Sequence, residues 1–163
     1  MTLAEVNALD QDRFTELLGW IFEHSPWVMR CAWLSRPFAS IDALHAAAVT
    51  CVERASLHDQ LALLRAHPDL GTRAHISDAS QDEQASAGLN RLNADEFAKL
   101  HALNKAYTAQ FGFPFLYAVK GSSKHDILAA LERRLQNSAE KEFAEALQQV
   151  HRIARFRLED AIS

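Results

Sequence analysis

Apolar residues recur at helical spacing through most of the chain. Phe14, Leu17, Leu18 and Ile21 fall three or four apart, and so do Leu44, Ala48, Cys51 and Val52, then Leu57, Leu61 and Leu64. Such a period places each set on one face of a helix. Start signals sit where the periods begin. Thr2 with Glu5 has the form of a capping box, Asp10 and Ser40 precede apolar-periodic runs, and Ser56 precedes another. Ser25-Pro26 reads as a cap followed by proline in the first turn, with that helix running to about Arg36-Pro37. The fifth helix stops at Ala66-His67, because Pro68 disfavours helical geometry in the residue before it.

From Pro68 to Ala79 no period fits, and Gly71, Ser77 and Asp78 mark loop. Ser80 with Glu83 predicts the start of a short helix that ends near Gly88. Asn93 with Glu96 opens a longer one, with Phe97, Leu100, Leu103, Tyr107 and Phe111 on its apolar face and the polar Asn104 among them. Gly112 to Val119 has strand-like composition but no second strand to pair with, so extended backbone is predicted there. Helix 124–137 and a last helix, 139–161 behind Ser138, complete the chain. The last carries a stripe of Phe143, Leu147, Val150, Ala154 and Leu158. The expectation is an all-α fold, a single domain over residues 1–163 with about eight helices and an irregular loop.

Composition narrows the function classes. Apolar residues are 48% and charged residues 23%, ordinary for a soluble domain. The net charge of -4 leaves no electrostatic footprint for nucleic acid. No run is long enough for a membrane span, and no signal peptide or SKL-type address is visible, so a cytoplasmic location is expected. Cys31 and Cys51 lie inside helical patterns and read as buried free thiols. Although there are eight histidines, none falls in an H-x-x-x-H or H-E-x-x-H pattern, and there is no C-x-x-C, so no metal is expected. Nucleotide-binding glycine loops and the G-x-S-x-G elbow are missing too.

Four places could carry chemistry. His67 sits between a helix end and a rigid Pro68 turn, and its imidazole can exchange protons near neutrality; a helix-terminal histidine on the negative end of the dipole is the plainer account. Ser80, Glu83 and Gln84 cluster at a helix start, where free N–H groups favour an anionic ligand, yet a capping box explains Ser80 and Glu83 equally well. Arg134 falls at the edge of the face formed by Ile127, Leu128, Leu131 and Leu135. It suits either a buried ion pair or a two-pronged grip on a carboxylate. Phe113-Pro114-Phe115 is stiff and irregular, with backbone groups available to a ligand or simply packed in a core.

In their order along the chain these residues resemble the OHCU decarboxylase family of urate degradation, OHCU being 2-oxo-4-hydroxy-4-carboxy-5-ureidoimidazoline. The matching pieces are His67-Pro68-Asp69-Leu70, Ser80-x-x-Glu83-Gln84 leading to Ala87-Gly88-Leu89, Asn104-x-x-Tyr107, Phe111-Gly112-Phe113-Pro114-Phe115, Arg134-Leu135-x-Asn137, and the last helix. The resemblance implies an all-α fold and a cofactor-free loss of CO2 from OHCU to give (S)-allantoin, in a homodimer, while charge and hydropathy point to no nucleic-acid or membrane partner. It implies His67 as the catalytic histidine, with Glu83 and Arg134 lining the substrate beside it; the chemistry then suggests Glu83 as the acid–base partner of His67 and Arg134 as the grip on a substrate oxygen. Pro68, Ser80, Gln84 and the segment Phe113, Pro114, Phe115 and Leu116 would bind substrate. Hydrolysis of a related cyclic ureide, or a non-catalytic helical binding module, remain the rival readings.

Overall fold

Side-chain caps start most of the helices. This computed structural model describes residues 1–71 and 77–163. Among them are α1 (Leu3–Ala8), α2 (Gln11–Leu18), α3 (Trp27–Ala32), α4 (Ile41–Glu53), α5 (Leu57–Arg65), α6 (Asp78–Ser86), α7 (Ala94–Phe111), α8 (Lys124–Arg134) and α9 (Ala139–Ala161), with short 3-10 turns at Gly19–Ile21, Trp33–Ser35 and Leu89–Arg91. No strand occurs among the described residues. The fold is all-α, as the periodicity predicts. Part of the loop expected between Pro68 and Ala79, residues 72–76, lies outside the described residues.

Thr2 and Asn93 form the reciprocal capping boxes that their spacing predicts, and Ser123 with Asp126 forms another. Asp10, Ser40 and Ser56 each accept a hydrogen bond from the backbone N–H three residues on. Three local expectations are corrected. Ser25 does not cap α3; its hydroxyl donates to the Glu23 carbonyl instead. Leu57 does not point inward but is 62% exposed, because it opens α5 where the first turn faces away from the core. Helix α6 begins at Asp78 behind Ser77, not at Ser80.

Two compact units divide the chain. The first comprises Met1–Ala66 and Val150–Ser163. Its core includes Phe14, Leu18, Phe22, Met29, Leu44 and Val52. The Asn7 side chain both donates to Phe38 O and accepts from Phe38 N, tying α1 to the segment that follows the cis Arg36-Pro37 bond. Cys31 of α3 and Cys51 of α4 are joined in a disulfide with Cα atoms 6.2 Å apart. This overturns the expectation of free thiols: α3 packs on α4, and both cysteines lie at that junction. Arg157 is buried against Glu23, with Nη2 2.8 Å from the carboxylate. At the chain ends, Ser163 N–H donates to Met1 O.

The second unit is His67–Gln149. Leu100, Tyr107, Phe115, Ile127 and Leu131 are essentially inaccessible and form its centre. Tyr107 packs edge-on against Phe113 and Phe115, with ring centres 6.0 and 5.4 Å away. Gly112 ends α7 at φ +80°, a left-handed geometry that suits glycine and turns the chain into the extended stretch 113–119. No described helix is long and apolar enough to cross a membrane.

Candidate functional site

The turn that carries His67 is held from two sides. Helix α5 stops at Arg65, and His67 follows with only 8% of its surface exposed. Two residues past Pro68, the Leu70 carbonyl accepts from Asn104 Nδ2 at 2.9 Å. The next N–H, of Gly71, donates to Gln84 Oε1 at 2.9 Å. Gly71 has φ +74°, and a Cβ there would sit 2.5 Å from the Leu100 side chain. Both the backbone conformation and the space therefore call for glycine. A cleft of about 210 Å³ opens beside this turn, lined in part by Asp69, His101 and Asn104.

Helix α6 presents a polar inner face. Ser80 and Gln84 are its buried side chains, four residues apart on one face, and Glu83 beside them is half-buried. The capping account of Ser80 does not hold. Ser77 caps the helix, its hydroxyl accepting from Ser80 N–H, so the Ser80 hydroxyl lies inside the first turn and has no capping task.

The extended segment is the third component. Phe113, Pro114, Phe115 and Leu116 are all buried. Arg134 Nη1 donates to the Leu116 carbonyl at 2.5 Å, and Gln149 Oε1 accepts from Ala118 N–H at 2.9 Å. Among the described residues, the N–H groups of Phe115, Leu116 and Tyr117 have no hydrogen-bond partner. Buried N–H groups left unpaired are costly, and a polar ligand would satisfy them.

Of the two settings open to Arg134, the structure shows the buried ion pair. It is 4% exposed. Its Nε lies 3.0 Å and its Nη2 2.9 Å from Glu142 Oε2, and its guanidinium sits 4.5 Å from the Phe115 ring centre. The fork closes on an internal carboxylate. Glu142 also accepts from Asn137 Nδ2 at 2.8 Å and from the Tyr107 hydroxyl. Burial alone would raise the Glu142 carboxyl, but the hydrogen bonds from Arg134, Asn137 and Tyr107 outweigh it and hold the group below the usual carboxylate range. Burial, and then the bond to Glu142, push the Tyr107 phenol well above its ordinary value. Arg134 is thus a strut beneath the Phe113–Leu116 segment.

The sequence reading missed Glu142. Its signal was the register of α9: Glu142 is four before Ala146 and eight before Val150, on the face that is buried. The predicted residues gather into two groups. His67, Pro68 and Gln84 meet at the Gly71 turn, while Arg134 meets the 113–116 segment at the Leu116 carbonyl. Helix α7 serves both, with Asn104 holding the first and Tyr107, one turn on, packing against the second. Among the described residues, no three His, Cys, Asp or Glu side chains are grouped to hold a metal ion.

The sequence profile of the OHCU decarboxylase family matches residues 7–159. A 2-oxo-4-hydroxy-4-carboxy-5-ureidoimidazoline decarboxylase of Haloferax volcanii is 49% identical over 163 residues, spanning 100% of this chain and 97% of that protein. The uric acid degradation bifunctional protein PucL of Bacillus subtilis is 44% identical over 99% of this chain, which corresponds to 33% of that larger protein. Among solved structures, an (S)-allantoin synthase superposes with a TM-score of 0.80 at 34% identity, over 99% of this chain and 54% of that one. An OHCU decarboxylase crystallised in the presence of (S)-allantoin shares the fold, with a TM-score of 0.70 at 22% identity over 82% of this chain and 89% of that one. The profile match over residues 7–159, together with 49% identity to a decarboxylase that this chain covers almost completely, makes this chain a member of the OHCU decarboxylase family.

Proposed function

We propose that this protein converts 2-oxo-4-hydroxy-4-carboxy-5-ureidoimidazoline to (S)-allantoin and CO2. The observation that carries the reading is the end-to-end match, at 49% identity, to a relative bearing that decarboxylase name. The chemistry suits the residues. The carboxylate leaves as CO2 from a carbon that also bears a hydroxyl; the bonding pair forms a C=C bond to the neighbouring ring carbon, and the displaced C=N pair goes onto the ring nitrogen, which takes a proton. The resulting enol then collapses, losing its hydroxyl proton and gaining one on the neighbouring ring carbon. The substrate supplies its own electron sink. The protein must supply orientation, donors for developing charge, and a proton on one face.

In this reading His67 and Glu83 are the acid–base pair around the hydroxyl and the reacting carbon. Ser80, Gln84 and Pro68 border the substrate, and the N–H groups along Phe113–Leu116 donate to its oxygens. The unpaired Phe115 and Leu116 N–H groups and the buried polar face of α6 support that assignment. Arg134 acts as a positioning residue, setting the Leu116 carbonyl and with it the direction of the neighbouring N–H groups. The reading takes the chain as one decarboxylase domain, working without cofactor or metal as a cytoplasmic homodimer.

The test is stereospecific product formation. OHCU is generated in situ from urate by the upstream reactions, the protein is added after dialysis against chelator, and the circular dichroism of allantoin is followed. A rapid (S)-allantoin signal, absent with His67→Asn, is the expected result. Only the slow racemic background from the native protein would refute the assignment. Light scattering on the same sample reads the dimer.

A further inference from the structure

We propose that Asn104 is a positioning residue for the reaction, and that with Gln84 it clamps the His67–Gly71 turn and sets the direction of the His67 imidazole. The inference rests on the catalytic role of His67 given above and extends it to a residue in the middle of α7.

The geometry is a two-point grip on consecutive residues. Asn104 Nδ2 takes the Leu70 carbonyl and Gln84 Oε1 takes the Gly71 N–H, both at 2.9 Å. One grip comes from α7 and the other from α6, so the backbone three and four residues after His67 is fixed from two helices. Pro68 stiffens the interval between. Gly71 admits the chain close to α7, where Leu100 leaves no space for a methyl group.

Packing alone does not account for Asn104. It is 5% exposed, on a helix face otherwise occupied by Leu100 and Tyr107. Its Oδ1 is buried and has no partner among the described residues. A buried orphan acceptor is a standing cost, and a leucine at this position would remove it only by taking the donor from the Leu70 carbonyl. What the amide provides in return is the single donor bond to Leu70. That bond acts on the turn that aims His67. The same turn could be folded without it, but it would then be gripped at Gly71 alone.

The test compares Asn104→Leu and Asn104→Asp with the native protein. Asn104→Leu removes the donor and the orphan Oδ1 together but leaves the Leu70 carbonyl unpaired, so a modest drop in thermal midpoint is expected. Its kcat is expected to fall about ten- to a hundredfold with KM changed less than about twofold, the signature of a displaced catalytic group. The ring signals of His67 in nitrogen-labelled protein, assigned by their loss in His67→Asn, should shift as well. Unchanged kcat and unmoved His67 signals would overturn the clamp. Asn104→Asp keeps the shape and covers the case in which the leucine variant fails to fold. Its carboxylate cannot donate to Leu70, whereas the protonated form can. Its kcat relative to the native protein should therefore rise on acidification, and a flat ratio would overturn the proposal. His67→Asn separates the two levels. Loss of turnover in that variant with normal Asn104→Leu refutes the clamp alone, while normal turnover in His67→Asn refutes the clamp and the catalytic assignment together.

Discussion

Helices α6 and α8 belong to the same unit and have opposite interiors. Helix α8 buries Ile127, Leu128, Ala130 and Leu131, so its attachment is hydrophobic and follows from its period. Helix α6, DASQDEQAS, buries Ser80 and Gln84. Burial of such side chains costs free energy unless each polar atom is satisfied, so α6 is not held by apolar area. The contrast separates an attachment made by apolar area from one made by polar pairing. Helix α8 attaches through apolar side chains apart from Arg134 at its end, while α6 turns a polar face inward.

Four measurements would break or sharpen that contrast. The largest effect is expected at Glu83. Glu83→Gln should lower kcat about 10²- to 10⁴-fold while the thermal midpoint stays put; near-native turnover would make α6 scaffold as well. Leu131→Ala should do the reverse. Truncating this fully buried side chain should cost about 2–5 kcal/mol by denaturant titration, with the kcat of the folded fraction nearly unchanged. A kcat loss matching the Glu83 variant would erase the distinction.

The third measurement asks whether buried polarity by itself marks function. His151 is buried on α9, its Nδ1 is unpartnered, and burial followed by the nearby His45 charge lowers its imidazole to about 4. Between that value and the ordinary 6.5, the unfolded chain binds a proton that the folded chain refuses. Stability should therefore fall as pH drops from 6.5 toward 4, by on the order of 2 kcal/mol from this group. His151→Leu should flatten that slope and leave kcat alone. A kcat loss would give His151 a part in catalysis. The smallest effect is at Ser77. Ser77→Ala should cost about 1 kcal/mol through the lost cap, and kcat should change only modestly. No loss of stability would place the start of α6 back at Ser80.

These elements differ in how far the sequence exposes them. Periodicity and caps are local, so α2, α4, α7 and α9 could be read within a residue or two. The start of α6 could not, because Ser77 and Ser80 are equivalent signals three residues apart, each with acidic residues following. His67, Ser80, Gln84 and Phe113–Leu116 stood out from their motif order, while their partners did not. Spacing puts Arg134 at the edge of the α8 apolar face, whereas it is buried within it, because its carboxylate comes from the next helix, beyond the turn at Asn137. Likewise Asn104 was conspicuous as a polar residue on an apolar face, yet Leu70 lies 34 positions away in sequence. The Cys31–Cys51 bond escaped for the same reason, since helical period says nothing of which helices pack. Local order can be read from spacing; pairings across the fold require the fold.

The hydrogen bond from Ser163 to Met1 also bears on engineering. With the two ends side by side, a linker of a few residues would close the chain into a ring at little entropic cost. New ends could then be opened at the Lys120–Gly121 turn, which is exposed. Such a circular permutant would place His67, Glu83 and Arg134 in a new chain order without cutting any helix. Whether it still folds would show how far the protein depends on the order of its elements and how far on their contacts alone.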